Sequence, residues 1–290
     1  MALYENPEIP EGINVTAEHP LKDFVLLLLA ATGILLAAVL ALSLLAGYLV
    51  RYVPFAQEQA LASRLSTEFQ RADSDASKQK QAYLQALANR LAAKMDLPKD
   101  MSITVHYSTD KTVNAMATLG GNIIIFQGLI DVLPNENALA MVMAHEIAHV
   151  RNRHPIVALG RGFAVLLAIS SLTGVGDELM QRWVSNMSML TLFSFSRSQE
   201  HEADVDALQA LLKTYGHVEG AAAFFEYAAK QPRLELTQLL STHPGLEERV
   251  AQIQQFAQEH DAAGTHELLP LPDLLMSHEL KVPVTPLPRS

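Results

Sequence analysis

His145-Glu146-Ile147-Ala148-His149 sets two histidines four residues apart, with a glutamate beside the first. On an α-helix, positions i and i+4 share a face one turn apart, so both imidazoles reach toward a single metal ion. Glu146 points about 100° round the helix from His145. It stands beside such a metal rather than on it, where a general base for an activated water belongs. A helix whose two histidines only cap or pack is the bland alternative, and the flanking residues weigh against it.

Asn135-Glu136-Asn137 after Pro134 predicts a helix start, with short polar caps and an acidic first turn. Ala138, Leu139, Val142, Met143, Ile147 and Val150 follow at helical spacing, and Pro155 closes the run. Between Ala138 and Val150 the only ionisable residues are those of the motif. A helix this apolar is buried, and buried ionisable groups need a partner such as a metal. Imidazole and carboxylate donors suit zinc, in a tetrahedral shell that keeps one position open for water.

Two histidines are one ligand short. Ser196-Arg197-Ser198-Gln199 fits a capping box that opens a second helix, continued by Leu208, Leu211 and Leu212, with Gly216 near its end. Glu200 and Asp204 share a face with Leu208 and Leu211, so that face packs against the first helix. Glu200 is then the candidate third ligand, and Asp204 the carboxylate that accepts a hydrogen bond from a ligating histidine. A solvated acidic run through Glu200, Glu202, Asp204 and Asp206 is the alternative. His201 and Glu202 stay open as rival ligands, because helix phase read from sequence shifts by a residue or two.

Taken together, these motifs resemble the integral-membrane and envelope zinc metallopeptidases that include HtpX, BepA and the CAAX prenyl proteases. The matching elements are Val113-Asn114-Ala115-Met116-Ala117, the hairpin through Gly120-Gly121-Asn122, His145 to His149, Ser196-Arg197 with Glu200 and Ala203-Asp204, and Ser241-Thr242-His243-Pro244. They cover about the middle half of the chain. The resemblance implies a zincin-like fold with one zinc per chain on His145, His149 and Glu200, and Glu146 as catalytic base. The stretch between the second and third ligands is too short for the extra membrane hairpin of HtpX.

The net charge of −10 over 290 residues leaves no basic footprint for nucleic acid. Without cysteine, disulfides and thiolate ligands are excluded, so the metal site must use histidine and carboxylate. Residues 24–50 carry no charge and are mostly Leu, Ala, Val and Ile. A span needs about 20 such residues. Lys22, Asp23 and Arg51 bound the run, and Tyr48 and Tyr52 suit the interface. A cleavable signal fits poorly, because the preceding tail is long and acidic. This predicts a single-pass anchor in a cell membrane, bacterial inner membrane by type, with the lipid bilayer as partner. Arg51 and Arg64 after the anchor, against Lys22 and the terminal amine before it, tip the balance slightly towards a cytoplasmic catalytic domain. The resemblance is neutral on this point, since HtpX faces the cytoplasm and BepA the periplasm.

Residues 163–173 form a second, shorter apolar stretch after Arg161 and two glycines, read as a buried or membrane-skimming helix. Trp183, Phe193 and Phe195 line the substrate groove, touch lipid or, as most aromatics do, pack in the core. Residues 57–71 and 77–95 read as helices, and 101–107, 113–117 and 123–126 as short strands. The expected class is α+β, mainly α. The expected units are a tail (1–23), an anchor (24–50), a metallopeptidase domain (55–263) and a proline-rich, loosely ordered tail (264–290), on which Leu274, Leu275 and Met276 offer docking points.

The chemistry implied is hydrolysis of peptide bonds in misfolded or unassembled proteins. The substrate chain must be held extended, added as a strand to an exposed edge, either 113–117 or 123–126. Asn114 and Ala115 are the candidate residues that meet it, with a turn role for Asn114 as the alternative. His243, set by Pro244 in extended backbone, either donates to the oxyanion or swings onto zinc and blocks the water position. His154, like the other histidines outside these motifs, reads as a surface or packing residue. A membrane-tethered chaperone or assembly factor that binds extended chains with little cleavage is the rival function.

Overall fold

In a computed structural model of the protein, the residues described are 20–65, 74–173, 195–231, 243, 245–260 and 266–276. They are mainly helical with one three-stranded sheet, the α+β class that the patterning predicts. Trp183 and Phe193 lie outside them.

Helix α1 (Pro20–Leu49) is the apolar run, its leucines exposed along its length. Helix α2 (Phe55–Leu65) follows one short turn later. Helix α3 (Asp75–Ala92) starts where the Ser74 side chain accepts from the Ser77 N–H, and it buries Leu84, Leu87, Ala88 and Leu91.

Strands β1 (Thr104–Ser108), β2 (Ala115–Ala117) and β3 (Asn122–Phe126) pair in the order β1-β3-β2, with β3 parallel to β1 and antiparallel to β2. The sheet decides between the two candidate edges. Residues 123–126 are paired on both sides, so the free edge beside the motif helix belongs to β2. In the β2–β3 turn, Gly121 sits at φ +79 with no room for a side chain, since a Cβ there would lie 2.0 Å from the Ser102 carbonyl oxygen. Only glycine satisfies both conditions.

After the short α4 (Gln127–Val132), helix α5 (Glu136–Arg151) begins at Asn135, whose side chain accepts from the Ala138 N–H at 2.9 Å. Every residue from Glu136 to Val150 is buried. Each fully buried aliphatic side chain contributes about 1.5–3 kcal/mol, so Leu139, Met143 and Ile147 alone fix how α5 is seated. The break after α5 comes at Arg153, in left-handed backbone at φ +59. Helix α6 (His154–Thr173) then starts with Pro155 in its first turn, where a missing N–H costs nothing. Pro155 thus opens the next helix rather than closing α5, and α6 begins nine residues before the apolar stretch at 163.

Helix α7 (Arg197–Tyr215) has the expected Ser196–Gln199 capping box and ends at Gly216 in left-handed backbone. Its inner face, Glu200, Ala203, Asp204, Ala207, Leu208 and Leu211, is buried, so carboxylates and aliphatic side chains share one side of the helix. Helices α8 (Ala223–Lys230) and α9 (Leu246–His260) complete the domain. Of the segment expected to be loosely ordered, residues 266–276 lie along the domain. The Leu269 carbonyl accepts from Glu136 N–H, and buried Leu275 offers its carbonyl to Lys80 and Gln127.

The chain that leaves α1 is clamped to the corner after the motif helix. Arg153 donates to the Val53 carbonyl (2.8 Å) and pairs with buried Glu58 of α2 (2.8 Å). Glu58 in turn accepts from the Gly120 N–H (2.9 Å). Burial pushes the Glu58 pKa up, against the pull of Gly120 and Arg153. One carboxylate thereby joins α2, the β2–β3 turn and the α5–α6 corner.

Candidate metal centre

Helix α5 presents His145 and His149, α7 presents Glu200 and Asp204, His243 lies just before α9, and α9 itself adds Arg249. All six are buried. One donor atom from each of His145, His149, Glu200 and His243 falls within a common 4.8 Å. Their Nε2 atoms put His145 and His149 2.9 Å apart. Glu200 oxygens lie 3.5 Å from each of these nitrogens. His243 Nδ1 lies 3.1 Å from both Glu200 oxygens and 3.4 Å from His145 Nε2. Four donors about 2.1 Å from a tetrahedral ion stand about 3.4 Å apart, so spacings of 2.9–3.5 Å leave the donors gathered as a bound metal ion requires.

The proton inventory points the same way. His145 Nδ1 lies 2.9 Å from Asp204 Oδ1, a carboxylate that only accepts, so Nδ1 carries a proton and Nε2 is the nitrogen turned toward His149. His149 Nδ1 lies 2.8 Å from His154 Nδ1, and His154 Nε2 lies 3.4 Å from Glu202. Burial, then the charge of His145, pushes the His154 pKa down to about 4, so it is a neutral acceptor for His149 Nδ1–H at pH 7. The two Nε2 atoms face each other at 2.9 Å, a gap that a proton on His145 fills and that a metal ion would fill in its place.

Charge completes the argument. Glu146, Glu200 and Asp204 are three buried carboxylates, and Arg249 is the one buried guanidinium among them. Negative charge is left over, and a cation where the donors converge offsets it. Burial works against charge on His145, yet the carboxylates of Asp204 and Glu200 overcome it and raise its pKa to about 9. Burial would likewise raise the Asp204 pKa, but Arg249 and His145 hold it down to about 2. Glu200 is held well below the usual carboxylate range by its histidines, against burial. The pocket therefore calls for positive charge at the position where the donor atoms converge.

Glu146 stands beside the donors, as the helix phase predicts. Its Oε2 accepts from the Ala117 N–H at 2.6 Å, and its Oε1 lies 3.7 Å from His243 Nε2. The Ala117 N–H is on the free side of β2, so that edge faces the base directly. The other N–H on this side, Ala115, is taken by the Asn114 side-chain oxygen at 3.0 Å. Asn114 is buried, and its Nδ2 has no hydrogen-bond partner among the described residues.

The rival ligands turn away. His201 and Glu202 are exposed, His201 meeting Gln252 and Glu202 facing His154. Two residues of the site escape the sequence reading. His154 is not a surface residue: it is buried against His149 because the turn at Arg153 swings it back. Arg249 donates twice to Asp204 at 2.7 Å and pairs with Glu200 at 2.8 Å. Phe195 also finds its place, stacked on the His149 ring with centroids 3.9 Å apart.

Comparison with known proteins agrees with this geometry. The model of peptidase family M48 matches residues 78–257. The mitochondrial metalloendopeptidase OMA1 of Schizosaccharomyces pombe is 29% identical over 183 residues, 61% of this chain and 53% of that protein. The beta-barrel assembly-enhancing protease of Escherichia coli is 30% identical over 190 residues, covering 58% and 37%. Metalloprotease LoiP of the same organism is 35% identical over 149 residues, covering 49% and 58%. The chain thus spans roughly a third to three fifths of the length of these relatives.

Proposed function

The chain belongs to peptidase family M48, and from that premise we propose that it is a membrane-anchored zinc metalloendopeptidase acting on misfolded or unassembled proteins. The observation that carries this reading is the buried set of four convergent donors, in a pocket where three carboxylates meet one guanidinium, with Glu146 beside it. His145, His149 and Glu200 would hold one zinc, which when bound polarises a scissile carbonyl and acidifies water.

The protein's own groups do the rest. Glu146 takes the proton of the attacking water and passes it to the leaving amine. Asp204 fixes the ring of His145, and His154 that of His149, so that both Nε2 atoms stay bare. A substrate added as a strand to β2 would replace the hydrogen bonds that Asn114 and Glu146 now make to the Ala115 and Ala117 N–H groups. Asn114 acts as the place-holder for the incoming chain. His243, within 3.1 Å of Glu200 and 3.4 Å of His145, occupies the fourth donor position. We read it as a gate that must swing out before water enters.

Metal analysis followed by casein cleavage, with and without a chelator, tests the function. One zinc per chain and chelator-sensitive cleavage are expected. His243→Ala should raise cleavage about tenfold, the factor set by a 1.4 kcal/mol preference for the closed site. If His243 instead serves the oxyanion, the same change costs about 10²–10³-fold. Bound zinc with no cleavage by either protein would favour a chaperone that binds extended chains.

The ligand assignment is tested by zinc content alone. Glu200→Ala should lose most of its metal and Glu202→Ala should retain it. Asp204→Ala should weaken affinity by about 10–100-fold. A larger loss at Glu202 would overturn the assignment.

Anchoring is supported by α1: between Leu21 and Tyr52 it holds an 18-residue apolar stretch with none of its residues buried in the fold. A bare apolar helix of that length belongs in a bilayer. The basic residues about it favour, by a small margin, a cytoplasmic catalytic domain, which reporters fused at the C-terminus would read.

A further inference from the structure

We propose that α6 enters the bilayer beside α1, making the attachment a two-helix unit; this rests on the reading of α1 as a membrane anchor. The helices run antiparallel in close contact. A Cβ on Gly160 would lie 2.8 Å from Val50, and one on Gly47 would lie 2.8 Å from the Arg161 side chain. Small residues at such points let two helix backbones approach. From there α6 runs back along α1, so its far end, at Ser171, shares a groove with Leu35.

Residues 162–173 carry no charge. A soluble core helix of this composition would bury its apolar side chains. Here Phe163 is 41% exposed, Val165 37% and Leu167 46%, while Leu166 is buried. The groove between the two helices, about 480 Å³ and lined by residues such as Leu42, Leu45, Phe163 and Leu167, is almost wholly apolar. Acyl chains fill such a groove at no cost, whereas water does not.

A second set of residues marks the level of the lipid headgroups. Tyr48 and Tyr52 are exposed on the last turns of α1, their hydroxyls 2.8 Å apart, with Arg51 exposed beside them. Arg161 lies at the same height on α6, through its contact with Gly47. Tyrosines and long basic side chains collect at that boundary, the stem in the apolar layer and the head in water. Below it, residues 162–173 reach about 18 Å. That carries them past the middle of a hydrocarbon layer of about 30 Å without crossing it.

The chain has no cysteine, so single cysteines report cleanly. Leu167→Cys, with Val165→Cys as a second probe of the same helix, would be placed in the full chain in phosphatidylethanolamine–phosphatidylglycerol vesicles, with zinc content as the check on folding. Leu36→Cys on α1 and exposed Lys99→Cys on the domain are the references. An environment-sensitive fluorophore at 167 or 165 should be quenched by spin-labelled lipid, as at 36 and unlike 99. A water-soluble maleimide should react there about tenfold more slowly than at 99 for each unit by which apolar surroundings raise the thiol pKa. Quenching at 36 with fast labelling and no quenching at 165 and 167 would overturn the proposal and leave the anchor standing. No quenching at 36 either would overturn the anchor, and the proposal with it.

Discussion

Glu146→Gln should lower turnover about 10²–10⁴-fold while zinc content and fold remain, the range that positioned proton transfer supplies. The geometry makes the test clean. Glu146 is not among the four converging donors, so the ion keeps its ligands. A glutamine oxygen still accepts from the Ala117 N–H, which now binds Oε2 at 2.6 Å, so the free edge of β2 stays where it is. What disappears is the carboxylate proposed to take a proton from water and return it to the leaving nitrogen. The loss should be measured in the His243→Ala background as well, so that a closed gate does not mask it. Unchanged turnover there would remove Glu146 from the mechanism.

Arg249→Met is expected to be the most damaging single change to the fold outside the four donor residues themselves. The guanidinium donates twice to Asp204, pairs with Glu200 and lies 4.4 Å from the Phe225 ring centre. Methionine fills similar space but leaves two buried carboxylates facing each other. Breaking a buried pair from one side costs about 3–5 kcal/mol, which for a domain of this size lowers the thermal midpoint by on the order of 10 °C. Thermal unfolding of the zinc-loaded protein would measure it. Arg249→Lys, which keeps the charge and loses the fork, should fall between the two. A midpoint within 2 °C of wild type would show that the ion alone balances the site.

The parts of this molecule legible in sequence are those that local chemistry decides. Asn135 and the Ser196–Gln199 box cap their helices because each satisfies an N–H three residues away. Glu200 and Asp204 could be chosen over Glu202 because they share a helical face with Leu208 and Leu211, and that face is the buried one. What sequence hides is contact made by chain reversal. His154 is five residues beyond His149, a spacing that in one continuous helix would point it elsewhere, and only the left-handed turn at Arg153 brings the rings together. Arg249 arrives from 45 residues beyond Asp204, with nothing local to announce it. The free edge of β2 was equally hidden, since it depends on β1 pairing with β3 across an intervening strand. For α6, Arg161 divides the apolar pattern, and the partner that explains its bare face is more than a hundred residues earlier.

The clamp formed by Arg153, Val53 and Glu58 has a consequence for selectivity. An enzyme on a slack linker sweeps a hemisphere and digests whatever enters it. Here the chain that leaves α1 is tied to the β2–β3 turn and to the corner beside His149 and His154. With α1 in a bilayer, as proposed, altitude above the lipid would become a criterion of choice. On that reading a folded neighbour whose susceptible segment rides higher or lower would be spared without any sequence being read, and a chain that has lost its shape would sag into the cutting plane and be taken.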